Sequence, residues 1–457
     1  MKKYRRTLET ILILITINIL WWGVRLHEFL GPFPAPDSAG ALLTCIGRIL
    51  IYLIPATLFL TLELVPCYEK GLSVRLQLLS GGYELILTTI YALLTEIPLL
   101  IVVAVNFGID KLFLWNMAAA YCLLLLHYLN GFWRTAFYSS QLGLGRRVAM
   151  FFFWWIFPIN AFLMFRWCRV VRRELITARD KYLLDSTRVQ NAVCRTRYPV
   201  IMVHGICFRD WQHFNYWGRI PKSLKQNGAH IYYGQQQSAI SVADSAAELK
   251  AEIEHVLAET GAEKVNIIAH SKGGLDSRYA ISKLGMAPYV ASLTTINTPH
   301  RGCKYADVLL DRLPKGLIQY ITRRYNALYY MLGDERPDLL AGLNDLRATS
   351  CEQFNEEIID SPDVYYQSIA TGMKRPHNTF APLNFTYLYI KIYDGENDGL
   401  VSIDSAKWGN FLGTITTDPK RGLSHADIID LVHRDIKGFD VSEFYVGLLS
   451  DLKEKGL

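Results

Sequence analysis

Five apolar runs in the first 167 residues constrain the fold of this chain more than any other feature. They lie at about residues 10–30, 42–65, 84–106, 112–133 and 148–166. A helix needs about 20 apolar residues to cross the hydrocarbon core of a bilayer, where backbone groups must find their hydrogen bonds within the segment. The sequence therefore predicts a helical membrane domain over residues 1–167 with about four to five transmembrane segments.

The charges beside these runs leave the number of spans open. If the N-terminus lies inside, most of the basic residues next to the first four runs also fall inside, which favours four spans with both ends in the cytoplasm. The fifth run contains Pro158 and Asn160, so it either spans the bilayer or lies along its interface. A fifth span would place the arginines that follow it outside, against the same bias. With either number we expect a multi-pass protein of a bacterial cytoplasmic membrane.

One ionisable residue, Glu96, lies in the middle of the third run. A carboxyl group at that depth in a bilayer costs free energy, so a functional role for Glu96 is the default hypothesis. The structural alternatives are an ion pair with Arg48 and a position facing a polar seam between helices. The sequence leaves these alternatives open.

The chain carries a net charge of +6, and its basic runs flank the apolar segments. None of them forms the long Lys/Arg block typical of nucleic-acid binding, so we expect no nucleic-acid partner and favour anionic lipid headgroups. The eight cysteines include no CxxC pair and show neither a disulfide framework nor metal-ligand spacing. The expected partner is therefore the bilayer.

Residues 168–197 are charged and predict a linker helix, and a different pattern begins at residue 198. There, short apolar strands alternate with segments of helical periodicity such as residues 241–261. Strands that alternate with helices indicate an α/β fold, a mostly parallel sheet flanked by helices, over residues 198–457. The predicted strands are YPVIMVHG, AHIYYG, KVNIIAHS, VASLTTINTPHRG, VYYQSIATG and TYLYIKIYDG.

The stretch VNIIAHSKGGLDSRY places Ser271 on a turn between a predicted strand and a predicted helix. Such a turn closes when small residues lie two positions before and after the serine, and Ala269 and Gly273 meet that need. The turn would expose the hydroxyl at the carboxyl edge of the sheet, which suits a nucleophile. The backbone amides of Ile206 and Lys272 are the expected oxyanion hole, because the first follows the first strand and the second follows the serine.

A serine nucleophile on such a turn needs an acid and a histidine base, which follow it in that order along the chain. The turn after the last predicted strand offers three acids, and we favour Asp398 over Asp394 and Asp404. Among the late histidines we favour His425, in a loop before an apolar run, over His433 near a surface turn. The histidines that we expect to be packing or scaffold residues are His204, His270 and His300.

The segments YPVIMVHG, KVNIIAHSKGG, INTPHRG, NDGLVS and SHADIIDL together resemble the bacterial true lipases, most closely those of Gram-positive bacilli and staphylococci. The resemblance covers roughly residues 198–455. It implies an α/β-hydrolase fold and a serine carboxylester hydrolase with Ser271, Asp398 and His425 as the catalytic triad. It also implies a lid built from residues between about 303 and 350.

The same resemblance bears on metals. Some of these lipases hold zinc through two aspartates and two histidines; Asp244 matches one aspartate position, but no histidine pair lies where it is required, so we expect no zinc. These lipases also bind calcium near the catalytic histidine, where Asp427 matches one ligand position and Asp435 is a looser match for the next. We expect no required cofactor, and a calcium site at Asp427 stays open.

These features lead to the hypothesis of a membrane-anchored serine lipase or esterase that hydrolyses acylglycerols or phospholipids through an acyl-enzyme. A lipid acyltransferase or transacylase would use the same residues and pass the acyl group to a hydroxyl other than water. Alternatives of another class are a non-catalytic membrane scaffold with a relic hydrolase domain, and a transporter or channel built around Glu96. An intact set of Ser271, Asp398 and His425 argues against the scaffold.

Overall fold

The computed structural model describes residues 2–35, 37–66, 68–188, 191–206, 215–237, 239–379, 383–417 and 421–457. The chain divides into two compact units, Met1–Leu183 and Leu184–Leu457. The first contains only helices among its described residues, and the second contains a sheet with helices.

The helices of the first unit follow the apolar runs. Serine or aspartate side chains cap the three longest apolar ones: Ser38, Ser73 and Asp110 each accept a hydrogen bond from a backbone amide of the first turn. The helices are α1 (Lys2–Ile17), α2 (Ile19–Leu30), α3 (Ala39–Leu64), α4 (Val74–Phe107), α5 (Lys111–Tyr138), α6 (Leu144–Phe153) and α7 (Ile159–Arg188).

Three helices of the described chain, α3, α4 and α5, are long and apolar enough to cross a membrane. The first apolar run is bent by 67° between α1 and α2, and it adds a fourth candidate if this bent pair counts as one span. The fifth run is divided between α6 and α7, because Pro158 lacks the amide hydrogen that would continue a helix. By length and composition the described residues thus offer three or four spans.

Glu96 lies in a polar seam between helices. The amide of Asn18 donates to one carboxylate oxygen of Glu96 over 2.8 Å, and Asn116 donates to Asn18 over 2.7 Å. All three side chains are buried. Arg48 donates instead to backbone carbonyls such as that of Leu30, so the ion pair with Glu96 considered from the sequence does not form.

The second unit is built on six parallel strands in the order β2-β1-β3-β4-β5-β6. These are β1 (Val200–Val203), β2 (Ile231–Tyr233), β3 (Val265–His270), β4 (Val290–Ile296), β5 (Tyr365–Thr371) and β6 (Asn410–Ile415). Its helices are α8 (Ile220–Gln226), α9 (Val242–Thr260), α10 (Gly273–Ser282), α11 (Lys304–Arg312), α12 (Lys315–Met331), α13 (Leu339–Asp345), α14 (Ala348–Glu357), α15 (Leu383–Tyr393), α16 (Ile403–Ala406) and α17 (Val441–Glu454).

Helices cover both faces of this sheet, so its central strands are buried on both sides. Alternate residues of β1 point to opposite faces: Val200 and Met202 belong to the core formed with α8 and α17, whereas Ile201 and Val203 belong to the core formed with α9 and α10. This three-layer arrangement is the α/β-hydrolase fold that the sequence predicted.

One predicted strand is wrong. The segment TYLYIKIYDG, at residues 386–395, lies in α15 and the turn after it. Its nearly continuous run of aromatic and aliphatic residues suggests a strand, but the buried positions of this helix, Leu383, Tyr387 and Ile390, recur at helical spacing. The strand that the sequence analysis missed is β6, which follows fifteen residues later and is only partly buried.

The segment predicted as a lid, residues 303–350, consists mainly of α11, α12 and α13 and ends in the first turn of α14. That this segment forms a lid stays a prediction.

Candidate active site

Ser271 lies on a sharp turn between β3 and α10. Its φ of 55° is in the left-handed region, and its amide donates to the carbonyl of Ile296 in β4 over 3.0 Å. The turn needs close backbone approach on both sides: a Cβ at Gly273 would be 2.4 Å from the carbonyl oxygen of His204, and one at Gly205 would be 2.6 Å from the Cβ of Ser271. A non-glycine residue at positive φ costs free energy that the surrounding packing must offset, and such residues are often found at functional sites.

Asp398 and His425 are joined by two hydrogen bonds. The Nδ1 atom of His425 is 2.6 Å from Oδ2 of Asp398, and the backbone amide of His425 donates to the carbonyl of Asp398 over 2.9 Å. The other carboxylate oxygen accepts from the amides of Leu400 and Val401, over 2.8 and 2.7 Å. The carboxylate is therefore fixed in direction, and its bond to Nδ1 leaves Nε2 as the nitrogen that can accept a proton.

The ring of His425 packs beside the turn that carries Ser271. Its centroid is 4.3 Å from that of His270, the residue before the serine, and Tyr216 holds His270 through a 2.6 Å hydrogen bond to Nδ1. Burial, and next the neighbouring His425, hold the pKa of His270 well below its ordinary value. His270 is thus a neutral packing surface for the His425 ring. This agrees with the packing role that the sequence predicts for His270.

The amides of Ile206 and Lys272 lie at the positions that the sequence analysis named. Ile206 follows the His-Gly turn at the end of β1, and Lys272 is the residue before the first turn of α10. Within the described ranges, neither amide donates a hydrogen bond to another group of the protein. Two N–H groups without partners beside a serine are suited to bind an oxyanion.

The side chain of Lys272 has a structural partner that sequence reasoning missed. Its Nζ atom donates to Asp276 over 2.7 Å and to Ser245 over 2.8 Å, and both members of the ion pair are buried. Burial raises the pKa of Asp276 to about 7, although Lys272 opposes this shift. The spacing of i and i+4 on one helix could have indicated this pair from the sequence.

An arginine outside the predicted site holds the loop that follows His425. The guanidinium of Arg219 makes a bidentate bond to the buried Asp430, over 2.7 and 2.8 Å, and a further bond to Asp435 over 2.7 Å. These contacts raise the pKa of Arg219 even though burial lowers it. Gly218 makes the approach possible, since a Cβ there would lie 2.4 Å from the carbonyl oxygen of Asp430.

The carboxylates considered for calcium are engaged with cations of the protein. Asp427 accepts two hydrogen bonds from Arg421, over 3.0 and 3.1 Å, and Asp435 pairs with Arg219. The described residues contain no group of three or more His, Cys, Asp or Glu side chains arranged to hold a metal ion. This donor set does not suit calcium, and a site at Asp427 gains no support from the structure.

The alternatives to the favoured acid and base lie elsewhere. Asp404 is exposed and pairs with Lys407, and the exposed His433 lies beyond the His425 turn. Three residues support the turns around the site as scaffold: His204, which is hydrogen-bonded to Gln236; His300, which is bonded to Thr295; and Trp408, which stacks on His300.

Comparisons of the sequence with known proteins point to lipases. The family described as Palmitoyl protein thioesterase matches residues 199–333. The chain is 39% identical over 173 residues to a triacylglycerol lipase of Pseudarthrobacter phenanthrenivorans, which covers 35% of this chain and 53% of that protein. It is 29% identical over 260 residues to triacylglycerol lipase 2 of Saccharomyces cerevisiae, which covers 53% of this chain and 74% of that protein. A triacylglycerol lipase of Burkholderia plantarii is also 39% identical, over 48% of its length.

The chain therefore spans about half the length of the first curated relatives that it matches. Among solved structures, the lipase of Staphylococcus hyicus aligns with 57% of this chain and 97% of its own, at 19% identity and a TM-score of 0.46. The mature lipase BlEst2 of Bacillus licheniformis aligns with 55% of this chain and 91% of its own, at 22% identity and a TM-score of 0.42. The sequence matches support the lipase resemblance; the narrower grouping with Gram-positive lipases stays a prediction.

Proposed function

We propose that this protein is a membrane-anchored serine hydrolase that cleaves the carboxylic ester bonds of lipids. The observation that carries the proposal is the Asp398–His425 pair, with its 2.6 Å hydrogen bond, packed beside the left-handed turn of Ser271. The proteins named triacylglycerol lipase that match the chain support the choice of an ester as substrate.

In the proposed reaction, the Ser271 hydroxyl attacks the ester carbonyl while His425 accepts its proton. Asp398 holds the imidazole in orientation and stabilises its cation. The amides of Ile206 and Lys272 stabilise the negative charge on the tetrahedral oxygen. His425 then protonates the departing alcohol, and water, activated by the same imidazole, releases the fatty acid from the serine.

The first unit supplies the proposed anchor. Its three long apolar helices would keep the second unit close to lipid, which raises the effective concentration of a bilayer substrate without any additional contact. Acylglycerols and phospholipids are therefore the proposed substrate class, and a multi-pass position in a bacterial cytoplasmic membrane is the proposed location.

Two other acyl reactions fit the same residues. A lipid acyltransferase would pass the acyl group from Ser271 to a second hydroxyl, and the match to the Palmitoyl protein thioesterase family at residues 199–333 favours a thioester as a second candidate substrate. Product analysis separates them: free fatty acid from a lipid ester indicates hydrolysis, a new ester formed only with an added alcohol indicates transfer, and faster release from a palmitoyl thioester indicates a thioesterase.

The direct test is covalent labelling with a fluorophosphonate probe. We expect the full-length protein in liposomes to be labelled and Ser271→Ala to lose the label entirely. The matched control is Ser277→Ala in α10, the helix that follows Ser271. This change removes a buried hydroxyl whose one hydrogen bond among the described residues goes to the carbonyl of Gly273. A folded wild-type protein that stays unlabelled would refute an activated serine and favour the non-catalytic scaffold.

A further inference from the structure

A cavity of about 630 Å³ lies among α5, α6 and α7 of the first unit. Its walls are largely aromatic, and several of these rings, including Trp133, Phe151 and Trp154, are at least half exposed at the surface of the unit. This volume lies within the range of roughly 300–1,000 Å³ that is usual for small-molecule sites. The proposed membrane placement would bring lipid to these rings.

Of the described residues that line the cavity, Arg147 is the one that carries a charge. One of its terminal nitrogens donates to the carbonyl of Ser139 over 2.7 Å, whereas its Nε atom is buried and has no acceptor among the residues that the structure describes. A buried N–H group without a partner destabilises the fold, so an acceptor oxygen that enters from the cavity would bind there favourably.

The chemistry of the lining selects the kind of lipid. Apolar rings suit an acyl chain, and a guanidinium suits a phosphate group. Among the described residues, no acidic side chain lines the cavity to pair with the cationic end of a zwitterionic headgroup. We propose that this cavity binds an anionic phospholipid, with an acyl chain against the aromatic walls and its phosphate on Arg147, as a site separate from Ser271.

The test is native mass spectrometry of the full-length protein released from nanodiscs that contain equal amounts of phosphatidylglycerol and phosphatidylcholine with matched chains. We expect wild type to retain phosphatidylglycerol about fivefold more than phosphatidylcholine, the preference that one cation at a membrane surface provides. Arg147→Gln should retain both lipids equally, and Arg147→Lys, which keeps the charge, should keep the preference.

Arg146→Gln is the matched control, because Arg146 is the exposed neighbour of Arg147 and does not line the cavity. It removes the same charge from the same helix and should leave the preference unchanged. Equal retention by wild type, a preference that survives Arg147→Gln, or one that is lost in Arg146→Gln would overturn the site. Failure of the protein to enter nanodiscs would overturn the membrane placement as well, and neither result depends on ester hydrolysis.

Discussion

At the scale of single residues, buried partners hold the proposed site and leave little freedom to the groups that we propose react. Asp398 is fully buried, and both of its carboxylate oxygens accept hydrogen bonds. His425 lies between Asp398 and the ring of His270. A carboxylate fixed in this way stabilises an imidazolium without having to reorganise. The charge of Asp398 should therefore matter more than its volume.

Asp398→Asn should lower kcat for a p-nitrophenyl ester by about 10³–10⁴-fold, because an amide in place of the carboxylate favours the wrong imidazole tautomer. The remaining carbonyl oxygen can still accept from the amides of Leu400 and Val401, so the thermal unfolding curve should change little. Asp404→Asn is the control, since that exposed carboxylate pairs only with groups outside the site. Similar kcat values for the two variants would contradict the assignment of Asp398.

Asp276 predicts a particular dependence of stability on pH. Its pKa is about 7 in the folded protein and near 3.8 when unfolded, so between these values the folded chain holds a proton that the unfolded chain has lost. This contribution to stability is present at low pH and is lost as the pH rises towards 7. Asp276→Asn should therefore show a smaller fall in melting temperature between about pH 4 and pH 7 than wild type.

The control for this experiment is Asp244→Asn, an exposed aspartate of α9 that should keep the wild-type slope. The change in melting temperature with pH is the quantity to compare. The melting temperature itself is not, because Asp276→Asn removes the partner of Lys272 and so lowers stability at every pH. Equal slopes in wild type and Asp276→Asn would show that Asp276 is ionised throughout this range.

Local sequence pattern indicated the proposed reacting residues, but it did not indicate the residues that hold them in place. The turn around Ser271, the acid Asp398 and the base His425 were each indicated by local pattern and chain order, and the structure brings Asp398 and His425 into contact. Arg219 carried no such signal, because its partners lie 211 and 216 positions further along the chain. Long-range pairs of this kind are set by packing rather than by local pattern.

At the scale of elements, the loop after His425 depends on one side chain at the start of α8. Asp430 has a left-handed backbone with a φ of 57° and a buried carboxylate, and Arg219 is bonded to both of its oxygens. This contact joins the start of α8, the helix between β1 and β2, to the loop that follows the proposed base, His425.

Arg219→Met should lower the free energy of unfolding by about 3 kcal/mol, the lower end for breaking a buried pair, because the Arg219 side chain is 40% exposed whereas that of Asp430 is buried. It should also lower kcat, since the loop that presents His425 loses its main ionic contact. Chemical denaturation and ester kinetics measure the two effects. Lys222→Met, at an exposed lysine of the same helix, should leave both unchanged, and a loss there of equal size would contradict the assigned role of Arg219.

The elements themselves were predictable where periodicity and burial agreed. β1, β3 and β4 are buried along their whole length and β5 along most of it, and α9 ends at Gly261 as its pattern indicated. The error at residues 386–395 arose because aromatic and aliphatic residues occur at nearly every position of α15, so strand and helix periodicity could not be distinguished.

At the scale of the whole molecule, the proposal assigns separate tasks to the two units. A chain reduced to residues 184–457 should hydrolyse a soluble short-chain ester at the rate of the full-length protein. On liposomes it should be slower by about 10²-fold or more, because the gain in effective concentration from the anchor is lost. An equal loss on both substrates would contradict the division of tasks and indicate that the second unit needs the first to fold.

The order of the site along the chain has a consequence for its synthesis. Ser271 emerges from the ribosome first, Asp398 follows 127 positions later and His425 another 27. The last strand of the sheet, β6, lies at 410–415, and α17, which covers one face of the sheet, lies at 441–454. Domains generally fold as units during translation. A nascent chain would therefore carry the nucleophile without its base over 154 (127 + 27) of its 457 positions, and the lipids around the translocation machinery would be protected from it until the polypeptide was nearly finished.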